Sequence, residues 1–515
     1  MLALTRAARY APCVRDLGWL ALLALVMFLL LLVAGQQSGI FRDELYYIAC
    51  AKRLDWGYVD HPPLSIALLT ATRATLGDSL LALRLPAAGA AALTVFLTGL
   101  IARALGAGRG GQLLAALAMA VAPQLLAMSS FFSMNALELA IWALLQWLAV
   151  RLLLGGAPHL WLVFGLVAGL GLLNKYSVGL FAAAFVAGLL CTPQRRLLAT
   201  PWLGLGGALA LLVFAPHLWW QHANGWPTLE FMANATATKN VHLGPLEFLA
   251  GQVTLAHPLA APLWLAGLAG LCVAPRFAAL RPLGIAYLVA FAILVAQGGK
   301  VYYLSPIYPV LFATGATWLA AAAQARAWRW PLPLAAGPLL VGGLVTAPLA
   351  IPILPPASHV AYAAAIGLGP PRMENNRQAA LPQHIADRYG WQELADAVAI
   401  AADRLPPAER ARAVVLGRNY GEAGAVEVLG DGLPRAISGH NSYWMWGPGE
   451  LHPDDPVIVI GLDPARLAEA FTSVEVVTTA HCEWCMPYER DLPISLARGL
   501  RRPLDELWRQ LKRFI

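Results

Sequence analysis

Nine side chains spread over 260 residues have the types needed for one kind of chemistry. They are Asp43, Glu44, Asp60, His61, Arg84, Lys175, Lys300, Tyr302 and Tyr303. Carboxylates deprotonate an attacking hydroxyl or amine. Arginine and lysine hold phosphate or diphosphate. Phenols donate hydrogen bonds and present an aromatic face to a sugar. Together these residues describe a site for an anionic, membrane-anchored substrate. Asp43, Glu44, Asp60 and His61 fall in one stretch, 41–64, where charge first collects in a chain only 13% charged.

The elements that position them are membrane helices. Of the 515 residues 59% are hydrophobic, against about half in a soluble chain, which is also about a quarter charged. Apolar runs recur at the length of about 20 residues that spans a bilayer. About eleven spans are predicted, at 17–35, 85–104, 112–128, 136–154, 159–173, 176–191, 202–220, 248–272, 282–297, 302–322 and 331–353. The first is read as an uncleaved helix rather than a signal peptide, because no small-x-small cleavage site follows it. Arg6, Arg9 and Arg15 put the N-terminus in the cytoplasm by the positive-inside rule. Alternation then puts Arg103, Arg109, Arg151, Arg195, Arg196, Arg276, Arg281, Arg326 and Arg329 on the same inner side. The net charge of +7 is therefore read as topology, not nucleic-acid binding.

The outer cations are the exceptions: Arg42, Lys52, Arg53, Arg73, Arg84, Lys175, Lys239 and Lys300. Lys175 and Lys300 sit at tight outer turns, where a boundary cation is functional, paired or snorkelling. The first outer loop, 36–84, is expected to hold short interfacial helices, broken at Asp60-His61-Pro62-Pro63. In the second, 217–247, Trp219, Trp220 and Trp226 suit an aromatic belt. His217, His222, Asn224 and His242 could add to a site, although His222 and His242 read as ordinary loop residues. Glu138 is the main acid inside an apolar span and is expected to be paired locally.

The transmembrane domain is assigned to 1–355 and a soluble extracytoplasmic α/β domain to 373–515. In the latter, strands at 413–416, 457–460 and 474–478 alternate with helices at 421–429 and 464–471, giving a partly parallel sheet. The glycines of 418–424 lack the context of a phosphate loop. Cys482 and Cys485, with His481, read as a local disulfide or two structural thiols rather than a redox or zinc centre. The run from His440 to Trp446 is either a sugar-contacting surface that shapes acceptor access or a packed loop.

Asp43-Glu44 after the first span, His61-Pro62-Pro63 and Arg84-Leu85-Pro86 resemble the GT-C membrane glycosyltransferases. Leu173-Asn174-Lys175 and Lys300-Val301-Tyr302-Tyr303-Leu304-Ser305-Pro306 with Pro309 continue the likeness. The nearest patterns are the protein O-mannosyltransferases and the lipid A aminoarabinose transferases. The resemblance implies an inverting transfer of a hexosyl or pentosyl group from a polyprenyl-phosphate carrier to an extracytoplasmic lipid, glycan or protein, in a bacterial-type plasma membrane. It assigns Asp43 as base, with Glu44 as partner or alternative. Arg84, Lys175, Lys300, Tyr302 and Tyr303 would bind the lipid phosphate. Where the aminoarabinose transferases carry lysine before Pro-Pro, this chain has Asp60-His61, so that sugar is not carried over. Asp60 and His61 would orient the acceptor, bind a divalent metal or assist as acid and base. The alternative class is a transporter or flippase for an anionic lipid. It expects ionisable groups near the bilayer midplane, whereas here they gather at one face. A membrane-anchored scaffold leaves the outer cations unexplained.

Overall fold

The computed structural model describes residues 14–370, 374–375 and 377–515. Arg6, Arg9, Cys13 and Met373, and the side chain of Arg15, lie outside the described residues. The chain divides into two compact units. One comprises Arg84–Leu218, His242–Ile353 and the described part of Met1–Gly35. The other comprises Gln36–Leu83, Trp219–Val241 and Leu354–Ile515.

The protein is a multi-pass membrane protein. Among the described residues seven helices are long and apolar enough to cross a bilayer: Leu17–Gly35, Leu80–Ala104, Met134–Leu153, Pro201–Ala223, Pro275–Ala296, Val301–Ala325 and Pro331–Ala350. Three bent pairs bring the count to ten if each is one span. The expected spans 112–128 and 248–272 are two of these pairs. The first breaks by 57° between Arg109–Ala120 and Pro123–Ser129, the second by 99° between Pro245–Leu255 and Pro258–Val273. In both, a proline opens the second half. It supplies no N–H and pushes its predecessor out of the helical region, and His257 ahead of Pro258 has φ 78°. The expected span 159–173 is a helix of 13 residues, Leu160–Leu172, about 20 Å long and shorter than the roughly 30 Å hydrocarbon core.

Close helix approach in the membrane unit depends on missing side chains. Ala261–Val273 crosses Tyr308–Ala325 where Gly267 faces the Leu311 carbonyl and Gly315 faces the Leu263 carbonyl, with no room for a Cβ at either. Lipid gives helices no hydrophobic reason to associate, so packing by small residues takes over.

Irregular backbone at 301–307 is also paid for in polar contacts. This 3₁₀ segment contains Pro306 and precedes Pro309, so its carbonyls lack the usual helical donors. Gln146 Nε2 donates to the Pro306 carbonyl at 2.7 Å, and its Oε1 accepts from Val310 N–H at 2.9 Å. Gln252 Nε2 donates to the Val301 carbonyl at 2.8 Å and its Oε1 accepts from the Tyr308 hydroxyl at 3.1 Å. Non-helical backbone within a membrane-spanning stretch persists only when buried groups satisfy it. The two glutamines therefore fix the segment that carries Tyr302 and Tyr303.

The second unit holds the helices Arg42–Ala51 and Leu64–Leu76 from the first outer loop. It also holds a five-stranded mixed sheet: β1 Val414–Gly417, β2 Arg435–Ser438, β3 Val457–Ile460, β4 Phe471–Ala480 and β5 Leu492–Leu500, in the order β2-β1-β3-β5-β4. β1 runs parallel to β2 and β3, and β5 lies antiparallel to β3 and β4. β1, β3 and β4 coincide with the expected strands. β2 and β5 have weak signals, since one is four residues long after a proline and the other carries Pro493. The glycines at 421 and 424 serve packing. A Cβ at Gly421 would sit 2.8 Å from Arg42, and one at Gly424 would sit 3.0 Å from Leu45. They let Tyr420–Leu429 lie close against Arg42–Ala51.

Gly267→Leu and Gly315→Leu are each expected to abolish the monodisperse peak in detergent size-exclusion chromatography, since overpacking of even a few methylenes costs about 1–3 kcal/mol. Gly204→Ala, which meets nothing within 4 Å, should leave the peak unchanged.

Candidate active site

The helix Arg42–Ala51 opens without a side-chain acceptor at Phe41. Glu44 supplies the reciprocal half of a capping box, with Oε2 accepting from Phe41 N–H at 2.8 Å. That fixes the first turn, which also carries Asp43. Glu44 is fully buried, and its carboxylate is engaged in the cap.

Asp43 is half-buried. Its Oδ1 accepts from the Tyr420 hydroxyl at 2.8 Å. Asp60, later in the same loop, accepts from the Tyr46 hydroxyl at 2.9 Å. The rings of Tyr46 and Tyr420 stack with centroids 4.7 Å apart and 27° between planes. Of the three acids singled out in this loop, Asp43 and Asp60 thus each accept from a phenol, and the phenols lie face to face. Tyr46 also lies 2.7 Å from Ser442 Oγ. A phenol has one proton, and donation to a carboxylate is the stronger use of it. The serine hydroxyl therefore donates to Tyr46 and accepts from Val59 N–H at 3.1 Å.

Burial pushes the Asp43 carboxyl above the usual carboxylate range. Arg42, the Tyr420 hydrogen bond and Lys239 oppose that rise, and Asp60 adds to it. Arg42 stays charged. Burial works against its charge, but Tyr488, Tyr420, Asp387 and Glu489 outweigh that. Its guanidinium lies 4.8 Å from the Tyr420 ring centre and donates to the Tyr488 hydroxyl at 3.0 Å. Asp387 is pushed up to about 6, chiefly by burial, with Arg42 pulling it down and Asp43 pushing it up. Asp43 is thus a carboxylate made more basic than an exposed aspartate by burial, with Arg42 opposing that rise.

His61 is fully buried. Its Nδ1 lies 3.0 Å from the Pro62 carbonyl, and its ring sits among Tyr46, Tyr47 and Tyr58 with centroids 5.8, 4.9 and 4.8 Å away. Among the described residues no three His, Cys, Asp or Glu side chains gather as metal ligands. Asp60 accepts from the Tyr46 phenol and His61 Nδ1 faces the Pro62 carbonyl, while His61 Nε2 is buried without a hydrogen-bond partner.

In the membrane unit, Lys175 Nζ contacts Glu138 Oε2 at 2.6 Å and Asn135 Oδ1 at 2.7 Å. Ser177 donates to the other Glu138 oxygen. Glu138 is buried, and the Lys175 side chain is only 12% exposed. The rings of Tyr303 and Tyr302 lie 4.8 and 5.5 Å from this ammonium, while Lys300 Nζ lies 6.0 Å from Tyr302. Cation–π attraction operates over these distances. Lys175, Lys300, Tyr302 and Tyr303 thus form one cluster. Arg84 is buried and donates to the Gly35 carbonyl. His217 Nε2 lies 2.6 Å from the Tyr176 hydroxyl.

Sequence reasoning passed over Tyr46, Tyr420, Asp387 and Arg42 as members of the acid cluster. Tyr46 had a local signal, standing three residues after Asp43 on one helical face. Tyr420 stood in the segment weighed only for nucleotide. The flanking Arg418 is an ion partner of Glu422 and Glu489 at 2.6 and 3.3 Å. Cys482 and Cys485 form a disulfide, and His481 is exposed beside Asp491.

Residues 60–220 match the family model of dolichyl-phosphate-mannose-protein mannosyltransferases. The match takes in Asp60, His61, Arg84 and Lys175 and begins after Asp43. The structure resembles ArnT from Cupriavidus metallidurans, both bound to undecaprenyl phosphate and in the apo state. The TM-scores are 0.58 and 0.59 at 15% sequence identity, over 93% of this chain and 98% of that one. No curated protein matches in sequence. The chain has the GT-C fold seen in ArnT.

Removing either member of the Lys175–Glu138 pair leaves a buried charge alone, at a cost of about 3–5 kcal/mol. Lys175→Met and Glu138→Gln are each expected to lower the thermal midpoint in detergent. The double variant should recover most of the loss. A double-mutant cycle by differential scanning fluorimetry checks this, and strict additivity would refute the coupling.

Proposed function

We propose that this GT-C membrane protein is a glycosyltransferase that moves a sugar from a polyprenyl-phosphate carrier to an acceptor at the extracytoplasmic face of the plasma membrane. The observation that carries the reading is Asp43: a carboxylate that accepts from the Tyr420 phenol at 2.8 Å, made more basic by burial with Arg42 opposing the rise. The family segment at 60–220 and the fold shared with a protein that binds undecaprenyl phosphate support a lipid-phosphate donor.

In this reading the acceptor hydroxyl or amine gives its proton to Asp43 as its oxygen or nitrogen bonds to the anomeric carbon. The bond from that carbon to the phosphate oxygen breaks, and its electron pair leaves on the polyprenyl phosphate. One displacement inverts the anomeric centre. The lipid phosphate is assigned to Lys300, Tyr302, Tyr303, Lys175 and Arg84. Cations that meet charge as it develops on a leaving group supply a large share of catalysis. Lys175, already bound by Glu138, acts as an oriented donor more than as net charge. Asp60 and His61 are assigned to the acceptor side, and Glu44 supports the turn that aims Asp43. The N-terminus is cytoplasmic and the sheet domain extracytoplasmic.

The test is transfer by purified protein in vesicles offered a panel of polyprenyl-phosphate sugars and envelope acceptors. Asp43→Asn should lower kcat by about 100- to 10,000-fold, the range of a lost general base, with insertion and melting temperature retained. Transfer that persists in Asp43→Asn, Glu44→Gln and Asp60→Asn alike would refute the site. Carrier movement between leaflets without transfer would instead favour transport.

The pH profile offers an independent check. A base works only when deprotonated, and burial raises its pKa. The activity of the native protein should therefore fall as pH drops through a value above the ordinary carboxylate range near 4, measured as the acid limb of kcat.

A further inference from the structure

We propose that Tyr420, contributed by the sheet domain, is the positioning residue for the Asp43 base. Its hydroxyl holds Oδ1 and leaves Oδ2 to receive the acceptor's proton. This rests on the reading of Asp43 given above.

Three observations carry it. The Tyr420 hydroxyl donates to Asp43 Oδ1 at 2.8 Å across 377 residues of sequence. Its ring is held on its neighbours: Tyr46 stacks at 4.7 Å, His440 stacks at 4.7 Å, and the Arg42 guanidinium lies 4.8 Å from its centre. Its backbone is pinned as well. Asn419 caps the helix that Tyr420 begins, accepting from Gly421 and Glu422 N–H at 2.8 and 3.2 Å. Tyr420 N–H points at His440 Nδ1, 3.3 Å away. Because a backbone N–H only donates, that nitrogen carries no proton, and His440 Nε2–H donates to the Ile515 carbonyl at 2.9 Å. A histidine so arranged is neutral, consistent with burial and Arg42 holding its pKa well below the ordinary value. Burial likewise keeps the Tyr420 phenol protonated, so it remains a donor throughout the working range. A phenol this constrained on ring and backbone fixes one carboxylate oxygen in direction. Such support is what separates a placed catalytic group from one that is merely nearby.

The groups acting on Asp43 are Arg42 on its own helix, Asp60, Lys239, Asp387 and Tyr420. Only the last donates to it at hydrogen-bonding distance. A hydrogen bond to the charged form favours that form, so deleting the hydroxyl raises the Asp43 pKa further. Tyr420→Phe keeps the ring and its stacking. It should lower kcat by about 10- to 100-fold, as expected for losing a hydrogen bond to a charged group. KM for the carrier should stay unchanged, and the acid limb of kcat should move to higher pH. Replacing Tyr420 by 3-fluorotyrosine, a stronger donor of the same shape, should move the limb the other way. A residue that only packs gives no such signed pair of shifts. If Asp43→Asn is inactive while both Tyr420 variants keep the native kcat and pH limb, this inference fails and the function stands. If Asp43→Asn retains transfer, the assignment of Asp43 as base fails, and this inference fails with it.

Discussion

Everything assigned to the loop acids depends on one compromise: a carboxylate must leave water to become a useful base, yet it must not lose its charge by doing so. Desolvation alone disfavours the charged form of Asp43. Arg42 beside it opposes that loss, and the Tyr420 phenol adds a donor that stabilises the charged form. Arg42 in turn is tolerable in its enclosed position only because Tyr488, Asp387 and Glu489 surround it. The acid, the cation and the phenols are thus mutually necessary. Removing Arg42 or the Tyr420 hydroxyl raises the Asp43 carboxyl further.

The membrane unit solves a different problem with the same economy. The chain does not keep a regular α-helix from Val301 through Pro306 and Pro309. Two buried amides, Gln146 and Gln252, take over the orphaned backbone groups. Polar side chains inside apolar spans are costly unless matched, so these glutamines exist to serve an irregular segment. The Glu138–Lys175 pair follows the same rule, each charge being tolerated because of the other.

Much of this was legible in the sequence, and the reasons are physical. Long apolar runs report bilayer length directly, and an Asp-Glu pair in a charge-poor chain stands out. The GT-C fold followed from short motifs in order. The breaks at Pro123 and Pro258 were written in the chain, but an apolar count does not weigh the geometry of a single proline. β2 and β5 were hidden because short strands borrow their stability from neighbours. The Tyr420–Asp43 contact was out of reach for another reason: pairing across 377 residues leaves no local trace, and the glycines beside Tyr420 resemble a nucleotide loop until their contact with Arg42 and Leu45 is seen. Glu138 was noticed as an anomaly, but its partner was found only in three dimensions.

The ammonium of Lys175 and the carboxylate of Glu138 cancel each other within a nearly water-free enclosure, and this bears on how the sequence can drift. Neither residue can be exchanged alone for a neutral or oppositely charged one without stranding an ion, whatever the protein catalyses. Homologous chains are expected to keep both, lose both or swap both. Position 138 should therefore covary with position 175 more tightly than with any of its neighbours along the helix.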